Sequence, residues 1–287
     1  MNSASTQGGL DRNTNCADKF KNIQMGDSET MTSLQYFNAV REILTRIESE
    51  QVTAIRDAGG IVASAIASGG ILHAFGSGHS HMISEEAFYR AGGLAPVNPI
   101  LDSRLLFLGG AMESTRAERE PGYAQTLLSH HDIQPNDVAI IISNSGRNVV
   151  PIEMALEMRS RGIKKIIAIT NLAQSTRSSS RHTSGKRLFE LADLVIDTCV
   201  PVGDAVVDIP GGSQRIGPTS TIAGVAIINA IIIEAATDLQ RQGLPIPVFL
   251  SVNMESSSQQ GTEVLLAQWA PRIPLFRDSL DPVKKEE

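Results

Sequence analysis

The chain has 287 residues, of which 41% are hydrophobic and 20% charged, with a net charge of -6. That length supports a substantial buried core, and an acidic balance with no dense Lys/Arg cluster argues against a nucleic-acid-binding surface. Two cysteines, Cys16 and Cys199, leave no disulfide framework or cysteine-rich zinc site and fit a reducing cytoplasm.

Residues 1–30 are rich in Ser, Thr, Asn, Gly and Asp without an apolar period, and read as a disordered tail lacking a secretory signal. From Ser33 onward the pattern changes, and residues 31–287 are expected to form a single domain with N-terminal helices and a C-terminal extension. Leu34, Phe37, Val40, Leu44, Ile47 and Val52 recur with charges between them, which predicts a long amphipathic helix. A second helix is expected over Asp57–Ser68, stopping at Gly69-Gly70.

Ile71-Leu72-His73-Ala74-Phe75 reads as a strand entering Gly76-Ser77-Gly78-His79-Ser80, with a helical segment beyond to about Arg90. Val138-Ala139-Ile140-Ile141-Ile142 is a strand apolar on both faces; it enters Ser143-Asn144-Ser145-Gly146-Arg147 and a helix over Pro151–Arg161. Lys165–Ile169 and Leu194–Asp197 are two more strands. Strands without polar alternation, separated by helices, predict a parallel sheet covered on both faces. The apolar stretch Ile222–Ala236 is too short to span a bilayer and reads as part of a buried helix from about Thr219 to Gln242, so no membrane is expected as a partner. Pro247–Val252 reads as a final edge strand.

Two loops thus follow one plan: buried strand, small residues and hydroxyls, then helix. In open parallel sheets ligands bind beyond the carboxyl ends of the strands, where helix N-termini present unpaired amides and a partial positive charge. Either loop alone is read most simply as a capped turn. Two in succession point to an anion. The first lacks the third glycine of a dinucleotide fingerprint, because the position holds His81.

These motifs resemble those of the SIS (sugar isomerase) domain family. Gly76-Ser77-Gly78 resembles that family's first turn, Ser143-Asn144-Ser145-Gly146 its Ser-x-Ser-Gly phosphate loop, and Gly217-Pro218-Thr219-Ser220-Thr221 its third turn. The likeness covers about Ser33 to Gly261 and is closest to the phosphoheptose isomerase branch, within it to an uncharacterised group of sugar isomerases. It implies a three-layer α/β/α sandwich with a five-stranded, flavodoxin-like parallel sheet. It also implies a phosphorylated-sugar ligand and a homodimer or homotetramer with sites at the subunit interface. By the same likeness Ser77, Ser143, Ser145 and Thr219 or Ser220 hold the phosphate, with Gly76, Ser80, Asn144 and Arg147 completing the loops. Two positions that carry metal ligands in phosphoheptose isomerases align with Glu86 and Arg90, and a guanidinium does not replace an anionic ligand, so no metal or other cofactor is expected.

Moving a proton between C1 and C2 of a sugar needs a carboxylate or imidazole. Glu86, with His79 seven residues before it on the same helix face, is the expected base; His79 or His182, the latter in the polar loop Ser178–Gly185, is the expected assisting acid. Glu85 is a weaker candidate, equally read as solvent-facing charge. Glu255 is a weaker one still, reaching a site across a dimer interface. His130-His131 lacks zinc-site spacing and reads as a helix end. The sequence therefore predicts a sugar-phosphate aldose–ketose isomerase. Arg147 also resembles the N-acetylmuramic acid 6-phosphate etherases, which leaves lyase chemistry open, and a non-catalytic sugar-phosphate sensor is the third possibility.

Overall fold

The computed structural model describes residues 32–250 and 258–280. In chain order the first half runs α1 (Thr32–Ala67), β1 (Leu72–Gly76), α2 (His81–Glu86), β2 (Val97–Ile100), α3 (Ala111–Ala117), α4 (Tyr123–Leu128), β3 (Val138–Ile142) and α5 (Val149–Ser160). The second half runs β4 (Lys165–Thr170), α6 (Leu172–Arg177), β5 (Leu194–Asp197), β6 (Ala205–Asp208), β7 (Arg215–Pro218), α7 (Ser220–Arg241), α8 (Ser258–Trp269) and α9 (Pro274–Leu280). The tail 1–30 with Cys16, and Glu255, lie outside the described residues.

Strands β1 to β5 form one parallel sheet in the order β2-β1-β3-β4-β5. This is the flavodoxin-like order, whose topological switch point falls between β1 and β3. The pleat sends alternate residues to opposite faces. Val138, Ile140 and Ile142 of β3 pack with Ile43, Ile47, Val62, Ile227 and Ile231 of α1 and α7. Ala139 and Ile141 pack the other way, against Leu128, Val150, Met154 and Met158 of α4 and α5. Three layers result, as the family likeness implied. A third cluster, with Trp269, Ile273 and Phe276, fixes α8 and α9 beside Ile71 and Phe249.

Several expected boundaries differ. The two N-terminal helices are one helix of 36 residues. The pair Gly59-Gly60 lies within it, and Gly59 faces α7. A Cβ there would overlap the Cβ of Glu234 and lie 2.9 Å from the amide nitrogen of Ala235. The expected edge strand Pro247–Val252 reduces to one antiparallel bridge, Leu94 with Val248; Ser251 and Val252 lie outside the described residues. The sheet edges are instead β5 and β2, and β2, Val97-Asn98-Pro99-Ile100, carries a proline tolerated where only one strand neighbours it. Helix α7, with 22 residues, is long and apolar enough by length and composition to cross a bilayer, contrary to the sequence estimate. Its Ile227, Ile228, Ile231 and Ile232 are nevertheless buried in the core against α1.

Candidate functional site

A cleft of about 330 Å³ opens at the carboxyl ends of β1 and β3, beside the switch point. Ser77, His79 and Ser80 of the first loop and Ser143, Asn144 and Ser145 of the second all line it, with Ser220 from α7. The two loops that the sequence singled out therefore share one cavity. A larger concavity of about 780 Å³ lies between α1, α7 and the amino ends of β3 and β4, away from both loops.

The second loop is braced from behind. Gly146 has φ +59°, and its amide donates to Ser143 Oγ at 3.2 Å. A Cβ at Gly146 would sit 2.8 Å from Ser175 Oγ. Ser175 in turn donates to the Ser145 carbonyl at 3.0 Å, and Thr170 Oγ1 meets Ser175 Oγ at 2.8 Å. The hydroxyls of Ser145 and Ser80 make no hydrogen bond among the described residues. Asn144 Oδ1 is buried without a partner. A buried acceptor in that state invites a donor from a ligand.

Two acids line this cleft, Glu118 and Asp204, neither of which the sequence analysis singled out. Leu105 O accepts from the amide of Gly78 at 3.0 Å and from Ser114 Oγ at 2.9 Å, so the first loop and α3 are tied to the same carbonyl. Glu118 follows at the C-cap of α3. Ser77 donates to its Oε1 and Asn148 Nδ2 to its Oε2, each at 2.6 Å. His79 lies at the rim with its ring 4.7 Å from that of Phe107.

Other expected residues lie elsewhere. Glu86 is held by Arg90 and by Asn229 Nδ2 on α7, and does not line the cleft. His79 lies in the tight turn Gly78–Ser80 before α2 begins at His81, so it shares no helix face with Glu86, and α2 ends at Glu86 instead of continuing to Arg90. Glu85 pairs with His81 at 3.7 Å. His182 pairs with Glu153 at 3.8 Å and with Ser184 at 2.8 Å, outside the cleft lining. His131 belongs to a buried network with Asn98 and His73. Gly76, at the end of β1, and Arg147 do not line the cleft either.

The third turn is occupied by the protein itself. Asp204 accepts from the amides of Thr219 and Ser220 at 2.8 and 2.7 Å and from Ser220 Oγ at 2.6 Å. A carboxylate thus takes the N-terminus of α7, the place the likeness reserved for phosphate. Among the described residues, no three His, Cys, Asp or Glu side chains converge as a metal-holding set.

The chain is similar to several known proteins. Residues 35–171 match the SIS domain family. A UPF0309 protein of Geobacillus kaustophilus is 42% identical over 242 residues, covering 84% of this chain and 96% of that protein. One from Halalkalibacterium halodurans is 40% identical over 241 residues, with 84% and 96% covered. Among solved structures, a phosphoheptose isomerase from Francisella tularensis aligns at 17% identity and a TM-score of 0.45, covering 71% of this chain and 95% of that one.

Proposed function

Because the chain belongs to the UPF0309 family of SIS-domain proteins, we propose that its cleft binds a phosphorylated sugar and interconverts the aldose and ketose forms. The observation that carries this reading is the meeting of unengaged hydroxyls with a positioned carboxylate: Ser80 and Ser145 line the same 330 Å³ cavity as Glu118. Helix N-termini and hydroxyls suit the ester's phosphate. Ser143, Asn144 and Ser145 form the phosphate side of the site, joined by Ser80.

Glu118 is the base in this reading, in place of Glu86. It removes the proton from C2 of the open-chain aldose, giving an enediolate with the charge on O1; the O2 proton passes to O1, and the carboxyl returns its proton to C1, leaving the carbonyl at C2. Ser77 and Asn148 fix both its oxygens. His79, on the rim, serves ring opening. The exposed apolar side chains of Ile222 and Ile233 on α7 and Phe37 on α1 support self-association as a homodimer or homotetramer. The buried free thiol of Cys199 suits a reducing, cytoplasmic setting.

Turnover in deuterated water tests the reaction. Solvent deuterium at C2 of a sugar phosphate, with no bond cleavage, marks the isomerase. Cleavage of a substituent marks lyase chemistry instead, and binding without exchange marks a sensor. Either of the last two results removes the isomerase reading.

A further inference from the structure

Asn148 stands at the N-cap of α5, where an asparagine ordinarily accepts from an amide of the first turn through its side-chain oxygen. It makes no such bond. Its Oδ1 accepts instead from Arg181 Nη1 at 2.6 Å, and its Nδ2 donates to Glu118 Oε2 at 2.6 Å. Asn148 is buried, so a lost partner leaves a polar atom unsatisfied. Arg181 reaches it from the polar loop 178–187, which is pinned to the second Ser loop at two places. The Arg181 amide donates to the Arg147 carbonyl at 2.9 Å, and the Leu188 amide donates to the Gly146 carbonyl at 2.9 Å. Within the loop, Ser180 Oγ donates to the Lys186 carbonyl at 2.7 Å and accepts from the His182 amide at 3.0 Å. The loop from which His182 was expected to act thus sends Arg181 to Asn148 instead.

A guanidinium only donates, and a carboxylate only accepts. An amide held between them is satisfied one way round, with its oxygen toward Arg181 and its nitrogen toward Glu118. Turned over, it would set Nδ2 against a donor and Oδ1 against a carboxylate, and two charge-assisted bonds would be lost together. Arg181 therefore dictates which end of Asn148 meets the acid of the cleft. No other group among the described residues bonds Oδ1. Without the guanidinium the amide loses its fixed sense, and Ser77 alone is left to orient Glu118. We propose that Arg181 is a positioning residue for proton transfer, acting through Asn148 to hold Glu118 toward the reacting carbons. Arg181 does not itself line the cleft, so it sets the geometry of the base without touching the sugar. This deepens the isomerase reading and rests on Glu118 as its base.

The test measures C2 exchange in deuterated water over a range of substrate concentrations, with the full chain and glucose 6-phosphate, mannose 6-phosphate, ribose 5-phosphate and arabinose 5-phosphate as probes. Variants are compared on the probe that wild type turns over fastest. Arg181→Met, which cannot donate, is expected to lower kcat by about 10–100-fold, the scale of a misplaced reacting group, with KM unchanged. Arg181→Lys keeps a donor for Asn148 Oδ1 and is expected to recover most of the loss, which a merely structural role would not predict. Arg181→Met added to Asn148→Ala is expected to cost nothing further, because the two act as one unit. Arg181 is exposed and its backbone bond survives substitution, and thermal unfolding of each variant checks its folding. A kcat that survives Arg181→Met, a rise in KM in its place, or a loss that multiplies with that of Asn148→Ala overturns the positioning role and leaves the isomerase reading standing. If Glu118→Gln retains full exchange, or wild type exchanges none of the four probes, the positioning role falls together with the reading beneath it.

Discussion

Ser77 donates its hydroxyl to Glu118 at 2.6 Å, joining the loop after β1 to the end of α3 across 41 positions of sequence. With Asn148 on the other oxygen, the carboxylate is oriented before any ligand arrives. Preorganised geometry of this kind is what a proton-transferring group needs.

Glu118→Gln keeps the shape and hydrogen-bonding reach of the side chain but removes the base. Exchange of the C2 hydrogen with solvent is expected to fall by about 10²–10⁴-fold, while the ligand still raises the melting temperature. Glu86→Gln, whose carboxylate is turned toward Arg90 and Asn229, is expected to lose far less activity. Nuclear magnetic resonance of exchange in deuterated water compares the two directly.

Gly146→Ala places a side chain on a left-handed backbone, with its Cβ 2.8 Å from Ser175 Oγ. The backbone strain alone is about 1–2 kcal/mol. The melting temperature is expected to drop by at least about 2–8 °C. Ligand-induced stabilisation is expected to weaken as well, because the loop that holds Ser143 and Ser145 must shift. Thermal unfolding with and without a sugar phosphate reads both effects.

Asp204 anchors the start of α7 through the amides of Thr219 and Ser220 and the Ser220 hydroxyl. Loss of such a cap costs about 0.5–2 kcal/mol, so Asp204→Ala is expected to lower the melting temperature by several degrees. Calorimetric unfolding of the variant measures the loss.

Stability should also depend on acid. Burial, with His73 and His130 nearby, holds the His131 pKa down to about 4, below the 6.5 of an unperturbed imidazole. Its ring accepts from Asn98 Nδ2 at 3.0 Å, an interaction that the neutral form makes. The unfolded chain takes up the proton first as pH falls, so this contribution is complete above about pH 6.5 and is lost on the way down to about pH 4. The loss is up to about 3 kcal/mol. Denaturant unfolding of wild type and His131→Gln across that range should converge toward low pH.

The central strands could be read from sequence because a parallel strand buried on both faces shows as an unbroken apolar run, as in Val138–Ile142. The two Ser loops could be read because each follows such a run directly. Glu118 could not. It sits in a segment that also carries Glu113 and Glu120, both of which pair with Arg104 on the surface. Nothing in spacing separates it from them; only the contact with Ser77, formed once α3 is tied to Leu105, does so. Asp204 was hidden for the same reason, since the hairpin of β6 and β7 lies between it and Thr219. The break expected before Asp57 is absent, and within the single long helix Gly59 lets α7 come close.

The most direct test of the shared cleft is thermal unfolding of wild type and the double variant Ser77→Ala, Ser145→Ala across a panel of sugar phosphates. For a ligand at a hundred times its Kd, linkage adds about 2.7 kcal/mol, a rise of roughly 5–10 °C for a chain of this size. Wild type is expected to show that rise with at least one sugar phosphate and the double variant to lose most of it. An equal rise in both proteins, or none in wild type with any member of the panel, would contradict the cleft as a sugar-phosphate site.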